Sequence, residues 1–232
     1  MPVAIVTGAS RGLGHATSRA LAARGWSLVL DARGAEALDA VARELAPADV
    51  VGIPGDVRDP GHRQQLVDTA ARLGPLQLVI NNASLLGPSP QPALSRYPLA
   101  VLATVFEVNV IAPLGLIQLA LPALVQNAGT VLNISSDAAV EAYEGWGGYG
   151  SSKAALDHLT AILAAENPAV AMYALDPGDM RTDMHQQAFP GDDISDRPEP
   201  DTVVPALLRL LDERPDSGRY QAAQLLTPAG AP

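Results

Sequence analysis

The stretch VAIVTGASRGLG, residues 3–14, decides the fold class, because a short apolar run leads directly into a turn rich in glycine. Residues 3–7 predict a buried strand, and residues 11–24 have the pattern of a helix that ends at Gly25. A strand, a glycine-rich turn and a helix in immediate succession form the first unit of many α/β folds.

The same alternation of apolar runs and helical patterns continues along the chain. The runs do not alternate polar and apolar residues, which indicates parallel strands covered by helices on both faces. The sequence therefore predicts a doubly wound, Rossmann-like α/β fold with about seven parallel strands, in one domain that spans residues 1–232. Further strands are predicted at residues 27–30, 50–54, 76–81, 130–135, 170–175 and 220–226, and further helices at residues 35–45, 62–73, 99–126, 149–166 and 202–213.

Composition excludes several classes of function. The formal net charge of −10 would repel a phosphate backbone, so we expect no nucleic-acid partner. The absence of cysteine excludes disulfides, thiol catalysis and cysteine zinc sites. The four histidines show no metal-ligand spacing, so we expect no metal. The N-terminus shows no secretory pattern, which makes a cytoplasmic location the default prediction.

Residues 101–125 form the most apolar region of the chain. Glu107, Asn109 and Pro113 interrupt it, and a lipid-facing helix tolerates such residues poorly. We therefore predict a helix that is buried in the fold or lies at a subunit contact, and no membrane partner.

The glycines of the first turn, Gly8, Gly12 and Gly14, have the spacing G-x-x-x-G-x-G. Glycine permits a tight turn and lets a pyrophosphate approach bare backbone at a helix N-terminus, where free N–H groups favour negative charge. A purely structural turn would contain the same residues. The position of this turn, after the first strand of an alternating chain, favours a dinucleotide site.

A series of short motifs then follows in order, and with them the chain resembles the short-chain dehydrogenase/reductase family. The resemblance covers nearly the whole chain. It departs from the family pattern at Ser84, where glycine is usual, and in a short C-terminal third. The motifs are TGASRGLG (7–14), GDV (55–57), NNAS (81–84), VNV (108–110), NISS (133–136), YGSSK (149–153) and PGDMRTDM (177–184).

Lys153 is the only lysine in the chain, which otherwise uses fourteen arginines. It follows Tyr149 by four residues, so both side chains share one helix face. In a chain that otherwise uses arginine, a single lysine indicates that this position needs a compact ammonium with rotatable donors, which arginine does not supply. We expect this ammonium to lower the pKa of Tyr149 from about 10 and to make the phenol a better acid or base.

The resemblance implies roles for four catalytic residues. Tyr149 would exchange a proton with the substrate oxygen while hydride moves to or from a nicotinamide. Lys153 would hold the nicotinamide ribose, Ser136 would hydrogen-bond the substrate oxygen, and Asn109 would anchor a water that relays protons to the lysine. From the residues alone, Ser136 could equally cap its strand, and Asn109 could satisfy backbone groups where its helix bends.

The end of strand two distinguishes NAD from NADP, because an acidic side chain there binds the adenosine ribose and a basic one binds the 2′-phosphate. The family's acidic position falls on Ala32, which Arg33 follows, and Arg11 is a second basic residue often seen with NADP. Asp31 lies one position early, so strand alternation should turn its side chain to the other face. We therefore expect NADP(H), with NAD(H) as the alternative if Asp31 is the selector.

The expected cofactor contacts extend from the adenine, at Asp56 and Val57, to the nicotinamide end, at Met180 and Thr182. They follow the carboxyl ends of the strands, where parallel sheets bind ligands. The complete set is Gly8, Ser10, Arg11, Gly12, Leu13, Gly14, Arg33, Asp56, Val57, Asn82, Ala83, Ser84, Tyr149, Lys153, Pro177, Gly178, Met180 and Thr182.

A small-molecule pocket is expected between Leu85, Leu86, residues 140–146 and a short polar loop around residues 184–201. The leading hypothesis is reversible, NADPH-dependent reduction of a ketone or aldehyde to an alcohol. The alternatives are an NAD-dependent alcohol dehydrogenase and a redox sensor that binds a dinucleotide without chemistry. The resemblance also implies a homodimer or homotetramer, with the helices at residues 99–126 and 149–166 in the contact.

Overall fold

A computed structural model describes residues 1–227 and contains a seven-stranded sheet in which every neighbouring pair of strands is parallel. The strands lie side by side in the order β3-β2-β1-β4-β5-β6-β7. The predicted doubly wound, Rossmann-like α/β fold is therefore confirmed. In chain order the strands are β1 (Val3–Val6), β2 (Ser27–Ala32), β3 (Val50–Pro54), β4 (Leu76–Asn81), β5 (Thr130–Ile134), β6 (Ala171–Asp176) and β7 (Gly218–Gln221).

Helices connect the strands and cover both faces of the sheet. Successive residues of β1 show the two sides: Ala4 packs into one hydrophobic core and Ile5 into the other. Full burial of a leucine or isoleucine stabilises such a core by about 1.5–3 kcal/mol. The helices are α1 (Gly12–Ala23), α2 (Ala35–Glu44), α3 (Pro60–Leu73), α4 (Leu99–Phe106), α5 (Ala112–Gln126), α6 (Gly147–Glu166), α7 (Asp183–Ala188), α8 (Val204–Glu213) and α9 (Ala222–Leu226).

The strand order fixes the position of a crevice. β1 lies between β2 and β4, so the chain builds the sheet outward in opposite directions from this point. The loops that leave the carboxyl ends of β1 and β4 consequently diverge, and ligands of such folds bind in the gap between them. The loops after β2, β3, β5 and β6 reach the same edge of the sheet.

Several element boundaries differ from the predictions, and two of the differences have a clear physical cause. The last strand spans Gly218–Gln221 rather than residues 220–226, because the apolar residues after it form α9, which packs against α8. The helix after β3 begins at Pro60, two residues before its predicted start. Asp59 caps it, accepting a hydrogen bond from the backbone N–H of Gly61 at 2.8 Å.

The apolar region predicted as one helix contains a π-helical turn, Glu107–Ile111, between α4 and α5. Leu99–Gln126 is long and apolar enough to cross a membrane by length and composition alone, and 39% of its most apolar window is buried. This is weak evidence for a span, since core helices pass the same test. In the structure α5 packs against α3 and β4.

Candidate active site

Most of the predicted site residues meet in one cavity of about 610 Å³ at the carboxyl edge of the sheet. The two that do not line it are Gly14, which lies under the glycine turn, and Asn109, which is fully buried. The predicted residues that line the cavity are Gly8, Ser10, Arg11, Gly12, Leu13, Arg33, Asp56, Val57, Asn82, Ala83, Ser84, Ser136, Tyr149, Lys153, Pro177, Gly178, Met180 and Thr182.

The glycine turn after β1 depends on its backbone and on one side chain. Gly8 has a φ of +66°, in the left-handed region that favours glycine, and a Cβ at Gly14 would lie 2.4 Å from the carbonyl oxygen of Gly8. Asn82, after β4, donates from Nδ2 to the carbonyl oxygens of Thr7 and Gly8, at 2.9 and 3.1 Å. The asparagine therefore fixes the turn against the neighbouring strand.

The N-terminus of α1 fits a pyrophosphate. Arg11, at the N-cap position, makes no capping hydrogen bond with its side chain within residues 1–227, so no side chain occupies the first-turn N–H groups. A Cβ at Gly12 would meet only the methyl group of Thr182, at 3.6 Å, among the residues described. Bare N–H groups therefore face the cavity, as a dinucleotide phosphate requires. The guanidinium of Arg11 pairs with Asp183 at 2.6 Å, and both side chains are exposed.

A positive charge is available at the adenosine end of the cavity. Arg33 is exposed and lines the cavity together with Asp56. Arg58 pairs with Asp56, Nη2 to Oδ2 at 2.7 Å, and its hydrogen bonds hold the pKa of Asp56 below the ordinary value. No ion pair joins Arg33 to a carboxylate within the described part of the chain. The side chain of Arg33 is therefore free to receive an anionic group.

The side chain of Asp31, the residue that favoured NAD, lies on the opposite face of β2 from Ala32, as strand alternation predicted. Its carboxylate is buried and lies 2.6 Å from Nε2 of His62, in the first turn of α3. Burial raises the pKa of Asp31, while the hydrogen bond and the charge of His62 lower it. Sequence reasoning missed this pair, because no spacing rule connects residues on β2 and α3.

Tyr149 and Lys153 lie on α6 at the buried end of the cavity, 7% and 2% exposed. Nζ of Lys153 donates to the carbonyl oxygen of Ile134 at 2.7 Å and lies 5.5 Å from the centre of the Tyr149 ring. The helix approaches the loop after β5 closely, since a Cβ at Gly150 would lie 2.5 Å from the carbonyl oxygen of Ala138. This close packing directs both side chains towards the end of β5.

Ser136 follows β5 directly, within the same cavity. Its Oγ donates to Oδ1 of Asp137 at 2.8 Å and accepts from the N–H of Ala138 at 3.2 Å. The other oxygen of Asp137 accepts from the hydroxyl of Tyr143 at 3.0 Å. Ser136 therefore caps the short 3-10 helix Asp137–Ala139 that follows β5, not the strand itself, and Asp137 competes for its hydroxyl proton.

The predicted lowering of the pKa of Tyr149 was wrong. Burial raises this pKa above its ordinary value, and hydrogen bonds with Ser84 and Ser136 counteract the increase only in part. Burial also lowers the pKa of Lys153 to about 8, against the opposing charge of Asp157. Both shifts favour the neutral form of a buried group, so Tyr149 keeps its proton at neutral pH.

Asn109 occupies the π-helical turn, where its side chain is completely engaged. Nδ2 donates to the carbonyl oxygen of Leu85 and to the hydroxyl of Ser152, both at 2.9 Å. Oδ1 accepts from the N–H of Leu85 at 2.8 Å and from the hydroxyl of Ser84 at 3.2 Å. The side chain thus positions the loop after β4, and its predicted role in anchoring a relay water stays a prediction.

The loop after β6 supplies the predicted nicotinamide contacts. The N–H of Gly178 donates to Asp176 at 3.1 Å, which fixes the start of the loop. Oγ1 of Thr182 accepts from the N–H of His185 at 3.2 Å and caps α7. Met180 packs against the hydrophobic core. The contacts of these residues with a nicotinamide stay a prediction.

The substrate wall agrees in part with the expectation. Leu85, Leu86 and Trp146 line the cavity, whereas Val140 and Tyr143 do not and are exposed. The hydroxyl of Tyr143 is held by its hydrogen bond to Asp137.

The segment predicted beside the pocket as a loop, around residues 184–201, contributes to this wall, but its first part is the helix α7. Met184 and Ala188 line the cavity, and the ring of Phe189 lies 5.9 Å from that of Trp146. Trp146 also packs edge-on against Tyr149, with 5.9 Å between ring centres.

Arg219, from β7, is a second residue that sequence reasoning missed. Its Nη2 donates to the carbonyl oxygen of Ser136 and to Asp176, and its Nε donates to Asp157, all at 3.0 Å. One guanidinium therefore joins the ends of β5 and β6 to α6, one helical turn beyond Lys153.

Comparison with known proteins relates the chain to a family of enzymes. A sequence model described as short chain dehydrogenase matches residues 2–193. Sepiapterin reductase of Meriones unguiculatus is 35% identical over 201 residues, 80% of this chain and 77% of that protein. Serine 3-dehydrogenase of Agrobacterium fabrum is 32% identical over 185 residues, 77% of this chain and 72% of that protein.

Solved structures agree with the sequence comparison. An alcohol dehydrogenase from Thermococcus sibiricus, complexed with 5-hydroxy-NADP, superposes with a TM-score of 0.86 at 29% identity and covers 95% of both chains. A short chain dehydrogenase from Escherichia coli CFT073, complexed with NADPH, superposes with a TM-score of 0.88 at 30% identity and covers 95% of this chain and 96% of that one.

Proposed function

The chain belongs to the short-chain dehydrogenase family, and from this premise we propose that it reduces a ketone or aldehyde to an alcohol, reversibly, with NADPH as reductant. The family consists of oxidoreductases, which establishes the general class of reaction. The observation that carries the finer proposal is that Tyr149, Lys153 and Ser136 share one cavity with an uncapped helix N-terminus.

The cofactor assignment rests on the charges around the cavity. The turn at Gly8–Gly14 and the start of α1 would hold the pyrophosphate, and Arg33 would receive the 2′-phosphate. Two structural neighbours contain NADP derivatives, which supports the same choice. The NAD-dependent alternative required Asp31 to reach the adenosine ribose, and that carboxylate is bonded to His62 instead.

The proposed mechanism uses Tyr149 as proton donor. When bound, the reduced nicotinamide supplies a hydride to the carbonyl carbon. Tyr149 gives its phenolic proton to the carbonyl oxygen, which completes the alcohol, and Ser136 holds that oxygen by a hydrogen bond. Lys153 stabilises the resulting phenolate through its positive charge and would hold the nicotinamide ribose. A phenol that stays protonated at neutral pH suits the direction of reduction.

The apolar wall indicates the kind of substrate. Leu85, Leu86, Trp146 and the neighbouring Phe189 would exclude water from the reacting carbonyl and favour an apolar or aromatic body. A sensor that binds a dinucleotide without chemistry has no need for a buried tyrosine beside a buried lysine.

The test begins with a titration of the purified protein with NADPH and NADH, followed by nicotinamide fluorescence. We expect the Kd for NADPH to be at least about tenfold lower, since the 2′-phosphate gains a charge-assisted contact. A panel of ketones and aldehydes is then screened for NADPH consumption and for the matching alcohol. Binding of neither dinucleotide, or tighter binding of NADH, would contradict the proposal.

Three further expectations remain proposals. We propose a single cytoplasmic domain that assembles into a homodimer or homotetramer through α4, α5 and α6. Large apolar side chains on these helices support the contact, since Leu99, Ile111 and Ile162 are exposed. Light scattering of the purified protein measures the subunit number, and a monomer at micromolar concentration would contradict it.

A further inference from the structure

The buried pair of Asp31 and His62 lies beside the adenosine end of the cavity, outside the catalytic group. Asp31 is 1% exposed and His62 is 6% exposed, and 2.6 Å separates Oδ1 from Nε2. Burying a charged or polar pair costs free energy unless hydrogen bonds and the pairing of the two groups offset the loss of water. Here the two side chains join the end of β2 to the first turn of α3.

The backbone beside this pair leaves room for the histidine ring and for nothing larger. A Cβ at Gly55 would lie 2.3 Å from Nδ1 of His62, which is far inside contact distance. Any other residue after β3 would therefore displace the ring from Asp31. The glycine, the histidine and the aspartate come from three elements and form one packed unit.

Arg33 differs from the acidic residues around it, because it forms no ion pair within residues 1–227. Two acidic residues belong to this end of the cavity, Asp31 and Asp56, and each is bound by a basic partner, His62 and Arg58. Arg33 has no such partner within residues 1–227. Both neighbouring acids are thus held by hydrogen bonds to other side chains, while the cation that would face a 2′-phosphate remains available.

We propose that His62 determines dinucleotide specificity by holding the carboxylate of Asp31 on the α3 side of the sheet. This inference rests on the proposed preference for NADPH and explains how a chain with an acid at the end of β2 achieves it. Asp31 lines the cavity, so its carboxylate, once released from His62, would gain hydrogen-bonding partners in the hydroxyls of an adenosine ribose and would repel a 2′-phosphate. The histidine is therefore a positioning residue that acts through Asp31.

The decisive variant is His62→Leu, which keeps the bulk of the side chain and removes the hydrogen bond. We expect the ratio of the Kd for NADH to the Kd for NADPH, measured by fluorescence titration, to fall at least about tenfold. His62→Gln, which retains an N–H donor, should keep most of the wild-type ratio. The exposed residue His158 supplies the control, and His158→Leu should leave the ratio unchanged.

A second variant identifies the carboxylate as the cause. In the double variant His62→Leu/Asp31→Asn the acid is absent, so the preference for NADPH should return to the wild-type ratio. An unchanged ratio in folded His62→Leu, or an equal loss in the double variant, would overturn the inference.

The single variant Asp31→Asn covers the case in which His62→Leu does not fold. We expect its ratio to stay within about twofold of wild type, because His62 already withdraws the carboxylate. A large gain in NADPH preference would mean that Asp31 reaches the ribose in the wild type, and would overturn the inference. Tighter binding of NADH by the wild type would instead remove the proposed cofactor preference on which the inference rests.

Discussion

Ser136 donates the proton of its hydroxyl to Asp137, with 2.8 Å between Oγ and Oδ1. A substrate carbonyl would need the same proton, so Asp137 competes with the substrate for Ser136. The carboxylate also contributes to the raised pKa of Tyr149 through its charge. Asp137 therefore influences both groups that would donate hydrogen bonds to the substrate oxygen, Ser136 and Tyr149.

The first prediction follows from this contact. Asp137→Ala should lower the pKa of Tyr149, because a nearby negative charge is removed and Ser136 becomes free to hydrogen-bond the phenolate. The alkaline limb of kcat/KM for reduction should then shift to lower pH. Glu144→Ala, at an exposed position in the same loop, is the control and should keep the wild-type profile. Identical profiles for the two variants would contradict this prediction.

The second prediction concerns the proton donor. Tyr149→Phe should lower kcat by about 10²–10⁴-fold, the usual contribution of general acid catalysis, and change the Kd for NADPH little. Tyr220→Phe, which removes a hydroxyl bonded to Asp216 away from the cavity, should retain normal turnover. Steady-state kinetics and fluorescence titration measure the two quantities separately. Full activity in Tyr149→Phe would refute the proposed mechanism.

The third prediction tests the 2′-phosphate site. Arg33→Ala should raise the Kd for NADPH about 10- to 100-fold, the value of one charge-assisted hydrogen bond, and leave the Kd for NADH nearly unchanged. Arg43→Ala, an exposed arginine on α2, controls for a general loss of positive charge. Equal losses for both dinucleotides would assign Arg33 a different role.

The fourth prediction concerns stability and pH. Burial lowers the pKa of Lys153 from 10.5 to about 8, so between these values the unfolded chain binds more protons than the folded chain. Stability attributable to this residue must therefore rise with pH. Between pH 7 and about 9.5, wild type should gain on the order of 2 kcal/mol in the free energy of unfolding relative to Lys153→Met. Denaturant titrations at both pH values measure this difference. If the free energies of unfolding of wild type and Lys153→Met differed by the same amount at both pH values, the prediction would be contradicted.

The fifth prediction concerns Arg219, whose guanidinium contacts Ser136, Asp157 and Asp176. Arg219→Gln should cost about 2 kcal/mol of stability, since two largely buried carboxylates lose their partner. It should also lower kcat, because the end of β5 is no longer fixed. Arg24→Gln breaks an exposed ion pair with Asp212 and should cost under about 1 kcal/mol. Similar losses of stability in the two variants would mean that Arg219 contributes no more than an exposed ion pair.

Local sequence signals were sufficient for most of the strands and for placing Tyr149 beside Lys153. Apolar runs such as residues 3–7 predict buried strands, and the spacing of Tyr149 and Lys153 places both on one face of a helix. The end of β7 was harder to predict from the sequence, because the largely apolar segment Ala222–Leu226 suits a strand or a helix equally. Packing against α8 decides for the helix.

Sequence patterns could not predict the contacts between elements that are distant in the chain. The alternation of β2 correctly placed Asp31 and Ala32 on opposite faces of the strand, but the partner of Asp31, His62, lies on another element. The pKa of Tyr149 was mispredicted for a related reason: Lys153 was visible in the sequence, whereas the burial that raises the pKa depends on the packing of α6 against the end of β5.

The solitary lysine also makes the protein's surface chemistry simple. Because Lys153 is 2% exposed, an amine-reactive reagent finds no accessible lysine side chain among residues 1–227. A lysine introduced by mutation at an exposed position away from the crevice would therefore give a dye, a biotin or a bead a single accessible lysine side chain in this part of the chain.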